Sequence, residues 1–307
     1  MANLADLCYR ERGGGSSAIP ENVGMSRIAL RSDLSASVVA AGDILSWIRD
    51  EDLSSSDRKE FIANATYEAT RKPMSPFERI REDLLDKSSF LKTFRELEPV
   101  LDLQGGESVL EMGACHGWAS TILKQRHPGC TVVAADLLAD ALAHAARWEE
   151  LFEASLDGKW ACHCRNLPFA DAQFDRIFTF ASFHHFGIGN DFRGTLSEML
   201  RVLKPGGKIV LLYEPSSPSL LYGQAHRIVN RRRAEEGVDE DLIVPSRLRE
   251  EARQLGAEAF FEYFPEARNR DSPGSTVYYA LLARFPWLCR FTVCTVNVTI
   301  TKALPNR

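Results

Sequence analysis

The stretch from Ser108 to Gly117 constrains this 307-residue chain more than any other. An apolar strand leads into Glu111, Gly113-Ala114-Cys115-His116-Gly117 follows as a turn, and a helical pattern runs from Trp118 to Arg126. Strand–turn–helix units of this kind set backbone N–H groups and a helix N-terminus against a ligand, and glycine permits an approach that a Cβ would block. One β-α-β unit further on, Thr131-Val132-Val133-Ala134-Ala135 ends in Asp136, a carboxylate placed to accept both hydroxyls of a ribose. Together the two features indicate a nucleoside-bearing ligand.

Strands and helices alternate after Gly105-Gly106. The pattern predicts strands at 108–112, 131–135, 160–164, 174–180 and 207–213, with helices at 117–127, 139–153 and 191–202 between them. Such alternation specifies an α/β fold with a mostly parallel, Rossmann-like sheet covered by helices on both faces. Lys204-Pro205-Gly206-Gly207 reads as a tight turn feeding the last strand of this series. Beyond it come helices at 217–235 and 245–256, a strand at 258–264, a short helix near 275–286, and a final strand over 292–301 whose alternation suits an inserted, antiparallel partner.

The first hundred residues read differently. Residues 1–24, with Gly13-Gly14-Gly15-Ser16-Ser17, carry no apolar period and read as a flexible leader, whereas 25–98 read as a helical cap. In that cap Val38, Val39, Ile44, Leu45, Trp47 and Ile48 cluster as one apolar face, and Ser54 to Asp57 resembles a helix start. Tyr67, Trp47 and Phe77 are aromatic residues for its core or for a cleft wall. Residues 99–307 form the ligand-binding domain, with lid elements over about 215–290.

Four motifs in order resemble the class I methyltransferases that use S-adenosylmethionine (AdoMet): Val109-Leu110-Glu111-Met112-Gly113, Ala135-Asp136, Leu167-Pro168-Phe169-Ala170-Asp171-Ala172-Gln173-Phe174-Asp175, and Leu200-Arg201-Val202-Leu203-Lys204-Pro205-Gly206-Gly207. The resemblance covers residues about 100 to 215. It implies AdoMet as cofactor and a cofactor site made of Glu111, Gly113, Ala114, Cys115, Gly117, Asp136, Leu137, Asn166, Leu167 and Ser182. Gly113 and Gly117 would let the turn pass beside the methionine part, Asp136 would hold the ribose, and Leu137, Asn166 and Leu167 would flank the adenine. Two positions depart from the family: Cys115 stands for the middle glycine, and His163 or Cys164 for an acid expected before the Leu-Pro-Phe run. Asp175 and the Lys-Pro-Gly-Gly turn read as scaffold.

Ligands of open parallel sheets bind outside the carboxyl ends of the strands, so chemistry is sought there. Ser182-Phe183-His184-His185 ends one strand and Tyr213-Glu214 the next. A histidine has nearly the right unperturbed pKa for a general base; neighbouring side chains diverge, so at most one of His184 and His185 is expected to face the substrate, with His184 placed slightly ahead. Tyr213 and Glu214 are candidates for substrate contact.

A net charge of -5 opposes a nucleic-acid partner, and Arg231-Arg232-Arg233 is followed after Ala234 by Glu235-Glu236. No apolar run approaches the roughly 20 residues of a bilayer span, so no membrane partner is expected. Seven cysteines, an odd number scattered over the chain, suit a reducing cytoplasm, and Cys162-His163-Cys164 lacks the second pair that a zinc site needs. The expectation is a cytoplasmic methyltransferase acting on a small molecule, without a metal. Two alternatives stand beside it: AdoMet chemistry other than methylation, by cyclisation or aminocarboxypropyl transfer, and a non-catalytic AdoMet-binding partner.

Overall fold

The computed structural model describes residues 28–32, 34, 38–70, 88–187, 189–233, 241–263 and 273–302. Among these residues one sheet takes the order β1-β2-β5-β4-β3-β6-β7-β9-β8. Its strands are β1 Val39–Ala41, β2 Ile44–Trp47, β3 Ser108–Met112, β4 Thr131–Asp136, β5 Gly158–Cys162, β6 Phe174–Phe180, β7 Leu203–Ser216, β8 Ala257–Tyr263 and β9 Cys294–Lys302. The helices are α1 Ser55–Thr70, α2 Ser88–Leu97, α3 Trp118–Arg126, α4 Ala139–Leu142, α5 Ala145–Phe152, α6 Arg193–Val202, α7 Tyr222–Arg233, α8 Pro245–Gln254 and α9 Pro273–Arg284.

Pairing is parallel from β2 through β7, and β9 inserts antiparallel between β7 and β8. The α/β, mostly parallel architecture expected from the alternation is therefore present. Every residue of β3 and β5 is buried, because helices cover both faces of the sheet. β8, at the edge, instead alternates exposed and partly buried positions.

The N-terminal stretch corrects one expectation. The apolar residues between Val39 and Trp47 are not a helix face but a β-hairpin, with Ala41 opposite Ile44 and Gly42 at φ +64° in the two-residue turn. β2 lies parallel to β5, from Ile44 opposite Lys159 to Trp47 opposite Cys162. Asp43 of the turn reaches the Lys159 ammonium, which Glu149 also holds. Burial on both faces removes the alternation that marks a half-exposed strand, which is why Ile44–Trp47 reads as a helical cluster in sequence. The helix start at Ser54 is real: Asp57 N–H donates to Ser54 Oγ at 3.2 Å, and Ser54 N–H returns to Asp57 Oδ2 at 2.6 Å, a reciprocal cap for α1. The leader and Phe77 lie outside the described residues, as does the side chain of Tyr67.

Two irregularities set the site. Between Leu211↔Val298 and Glu214↔Val296, β7 places two residues, Leu212 and Tyr213, where β9 places one, Asn297, so β7 carries a bulge towards its carboxyl end. Tyr213 sits there at φ +58°, its N–H donating to Asn297 Oδ1 at 3.0 Å. On the neighbouring strand Ala181 takes φ +51° and donates to Leu212 O at 2.9 Å. The paired distortions turn the chain just past both strand ends and aim Glu214 inward.

Candidate active site

The chain moves outward from β3 to β4 and β5 on one side and to β6 and β7 on the other, so the crevice of the sheet opens past the ends of β3 and β6. There Ser182 Oγ donates to Met112 O at 3.2 Å, joining the two strand ends. Gly113 has φ +70°, and a Cβ on it would come within 2.6 Å of Ser182 Oγ and 2.9 Å of the Phe186 ring. A Cβ on Gly117, at φ +69°, would meet the Ala145 methyl at 2.8 Å. Both glycines are thus demanded by the protein's own packing as well as by backbone conformation.

Cys115, between them, also takes the left-handed conformation at φ +48°. Strain of that kind costs about 1–2 kcal/mol for a residue with a Cβ. Its N–H donates to Asp136 Oδ2 at 2.6 Å, and Leu138 N–H donates to Oδ1 at 2.8 Å. Ala114 N–H donates to Ala135 O at 3.1 Å, so the turn is tied to the end of β4 at successive residues. Burial raises the Asp136 pKa despite these amides. The backbone amides take up part of the carboxylate's accepting capacity without offsetting its burial, so two vicinal hydroxyls would relieve its desolvation.

Glu111 is buried behind this turn, accepting from Ser120 N–H at 2.9 Å and from the Ser120 hydroxyl. Burial pushes its pKa from 4.5 to about 8. Between those values the folded carboxyl keeps a proton that the unfolded chain releases. The contribution to stability is therefore complete below about 4.5 and declines as pH rises to about 8. Glu111→Gln, a neutral near-isostere, should flatten this limb and exceed the wild type by roughly 2–4 kcal/mol at alkaline pH. Denaturant titrations across the range check it; parallel wild-type and variant profiles would refute the buried-proton reading.

Past β6, Glu214 organises the loop. It has no exposed surface, and it accepts from Thr179 Oγ1 at 3.0 Å and from the N–H groups of Ser182, Phe183 and His184 at 3.1, 2.9 and 3.2 Å. His184 Nδ1 lies 2.8 Å from Glu214 Oε2. Burial works to raise the Glu214 pKa, but the His184 ring and these donors outweigh it and hold the carboxyl below its ordinary value. An ionised Glu214 places the imidazole proton on Nδ1 and leaves Nε2 as the basic nitrogen. Glu214, expected as a candidate for substrate contact, is buried beside the β7 bulge, and what it touches is His184. The His185 ring stands 4.1 Å from that of His184, with Nδ1 3.7 Å from Glu60 Oε1 on α1. Tyr213 is half-buried and stacks on Phe180.

The other flank lies past β5. Leu137 is half-exposed beside Asp136, whereas Leu167 is wholly buried in the core with its N–H on Glu198, so it stands behind the cleft wall. Asn166 accepts from Arg31 at 3.1 Å and donates to Asp52 at 2.9 Å. His163, at one of the two positions considered for the missing acid, lies 3.5 Å from Asp57 Oδ2, and its Nδ1 accepts from Arg165 N–H. Burial would raise the Asp57 pKa, yet hydrogen bonds from His163 and Ser54 bring it to about 2. α1 therefore spans the crevice, with Asp57 at one lip and Glu60, one turn on, at the other. Cys162 and Cys164 are driven well above ordinary thiol values by burial, Cys164 to about 12, which disfavours thiolate ligation. No cluster of three metal-ligating side chains occurs among the described residues.

Residues 110–211 match the family model described as a methyltransferase domain. The chain is 32% identical over 157 residues to the demethylmenaquinone methyltransferase of Thermus thermophilus, covering 50% of this chain and 69% of that protein. It belongs to the class I AdoMet-dependent methyltransferase family. A Deinococcus radiodurans protein of the same name is 32% identical over 39% of this chain, which spans 48% of that relative's length. Among solved structures, geranyl diphosphate C-methyltransferase from Streptomyces coelicolor A3(2) aligns with TM-score 0.54 at 15% identity, over 69% of this chain and 76% of that one, a likeness of fold.

This class I methyltransferase also has an aromatic wall not singled out in the sequence. Trp118, the first residue of α3, packs edge-on to Phe94 of α2 at 5.5 Å and to Phe180 at 5.4 Å, and Phe180 stacks on Tyr213 at 5.7 Å. Trp118 directly after Gly117, at the start of α3, was the available signal.

Proposed function

We propose that this chain binds AdoMet in the crevice past β3 and β4 and transfers its methyl group to a small aromatic acceptor, a quinone-type nucleus in reduced form. The observation that carries the reading is the Asp136 carboxylate, held by Cys115 and Leu138 amides and desolvated by more than these amides offset, at the edge of the glycine turn. The acceptor class follows from the name of the relatives and is supported by the wall of Trp118, Phe180 and Tyr213, flat surfaces that suit a planar ring.

AdoMet supplies an electrophilic methyl on a sulfonium. In the proposed site the chain's residues do the rest. Asp136 holds the ribose hydroxyls, Ala114, Cys115 and Gly117 shape the passage for the methionine part, and Leu137 and Asn166 flank the adenine. Ser182 fixes the loop after β6. His184 Nε2 takes the phenolic proton of the acceptor, which raises electron density on the ring; Glu214 stabilises the resulting imidazolium. The ring carbon attacks the methyl and displaces the thioether in line; the ring proton leaves to solvent, which restores aromaticity as a phenolate, and the imidazolium of His184 returns its proton to that oxygen. His185 and Tyr213 border the acceptor side.

Asp136→Ala tests the cofactor site. Losing the paired ribose hydrogen bonds should weaken S-adenosylhomocysteine binding by roughly 1.5–3 kcal/mol, read by calorimetry on a variant whose unfolding is otherwise normal. Unchanged affinity would remove Asp136 from the site.

A further inference from the structure

The corner formed by α9 and the following 3-10 turn, Pro286–Phe291, has an apolar surface with no partner among the described residues. One face of α9 is already used: Tyr279 and Leu282 bury against Cys289 and Cys294 in a small core of their own. The opposite face carries Val277 and Leu281, 59% and 50% exposed; Phe285, just past the helix, is 42% exposed, and the turn adds Trp287 at 63% and Phe291 at 65%. α9 is apolar on both faces, and among the described residues only one of them is covered. An exposed array of this kind marks an interaction site.

The charge of the corner's own residues is one-sided. From Ser272 to Arg307 the sequence contains no Asp or Glu, in a chain of net charge -5. Arg284 and Arg290 are both exposed, and the Arg284 guanidinium rests 5.3 Å from the centre of the Phe285 ring. The nearest acidic strand, β8, places Glu258 and Glu262 on the face opposite Tyr263, the residue that packs into the α9 core. Aliphatic and aromatic side chains flanked by arginines are the composition of a surface that lies in the headgroup boundary of a bilayer, with Trp at the interface and Arg among anionic lipids. The corner is also well placed. It departs from Tyr263 and returns at Cys294, which pairs with Ser216 at the carboxyl end of β7. Tyr278 fixes it by donating to Val293 O at 2.7 Å. That is the end of the sheet at which Glu214 and His184 lie.

We propose that the α9 corner, through Val277, Leu281, Phe285, Trp287 and Phe291 with Arg284 and Arg290, docks the protein on an anionic bilayer surface and so brings the crevice to lipid-dissolved acceptors. The sequence contains no apolar run of spanning length, and docking of this kind needs none. The test uses the full chain, pelleted with vesicles of phosphatidylcholine alone or of phosphatidylcholine with phosphatidylglycerol. Wild-type protein should pellet with the anionic vesicles and far less with the neutral ones. Trp287→Ser with Phe291→Ser should lower that partition at least about tenfold, and Arg284→Gln with Arg290→Gln should abolish the preference for anionic lipid. Unchanged circular dichroism and thermal unfolding verify the fold, and Val277→Ser with Leu281→Ser replaces the aromatic pair if it unfolds. Failure of the wild type to pellet with anionic vesicles, equal binding to both vesicle types, or equal binding by wild type and variants would overturn the proposal. So would a wild-type dimer in sedimentation equilibrium that the aromatic variant dissolves, which would assign the corner to a second copy of the chain.

Discussion

Glu214→Ala should lower the unfolding free energy by about 3–5 kcal/mol, the largest stability effect expected of a single substitution in this protein. The carboxylate is wholly buried and gathers the Thr179 hydroxyl, three consecutive backbone N–H groups and the His184 ring. Removing it leaves those donors without an acceptor in a site that water does not reach. Its folded pKa is depressed, so this stabilisation is complete above the ordinary carboxylate value and is lost as pH falls through the lowered one. Chemical denaturation of the variant near neutral pH reads the loss directly, and repeating it at acid pH should show the gap closing. A variant within 1 kcal/mol of the wild type would mean that the loop after β6 is held by something else.

His184→Asn should reduce turnover by about 10²–10⁴ while leaving S-adenosylhomocysteine affinity intact. The expectation rests on the 2.8 Å contact with Glu214, which fixes the tautomer and stabilises the charge that a base acquires. Asparagine keeps a polar group near Glu214 but cannot take up a proton. The diagnostic is the pH profile: wild-type kcat should fall as pH is lowered, and the residual activity of the variant should not. If both profiles are flat, the transfer relies on proximity, and Tyr213 becomes the residue to vary.

The sheet was legible in the sequence because its signals are local. Continuous apolar runs such as Thr131–Ala135, glycines at forced conformations and the order of the motifs all lie within short windows. The hairpin Val39–Trp47 was not, although Gly42-Asp43 between two apolar runs was a usable turn signal; full burial of Ile44–Trp47 hid the period of two. Within the site, Cys115 and Asp136 were recognisable by position, and their mutual hydrogen bond explains how a cysteine is accommodated at φ +48°. The inward turn of Glu214 was not recognisable, because it depends on a bulge defined by pairing with β9, some eighty residues later. The same holds for Asp57 and Glu60, whose partners His163 and His185 meet α1 only in three dimensions.

The central claim is that this chain spends AdoMet as a methyl donor. Purified protein incubated with AdoMet and reduced demethylmenaquinone, with products resolved by mass spectrometry, tests it most directly. S-adenosylhomocysteine in equal amount to an acceptor one methylene heavier is the expected result. Methylthioadenosine in its place, or an untouched cofactor with acceptor consumed, would contradict methyl transfer and assign the crevice to different chemistry.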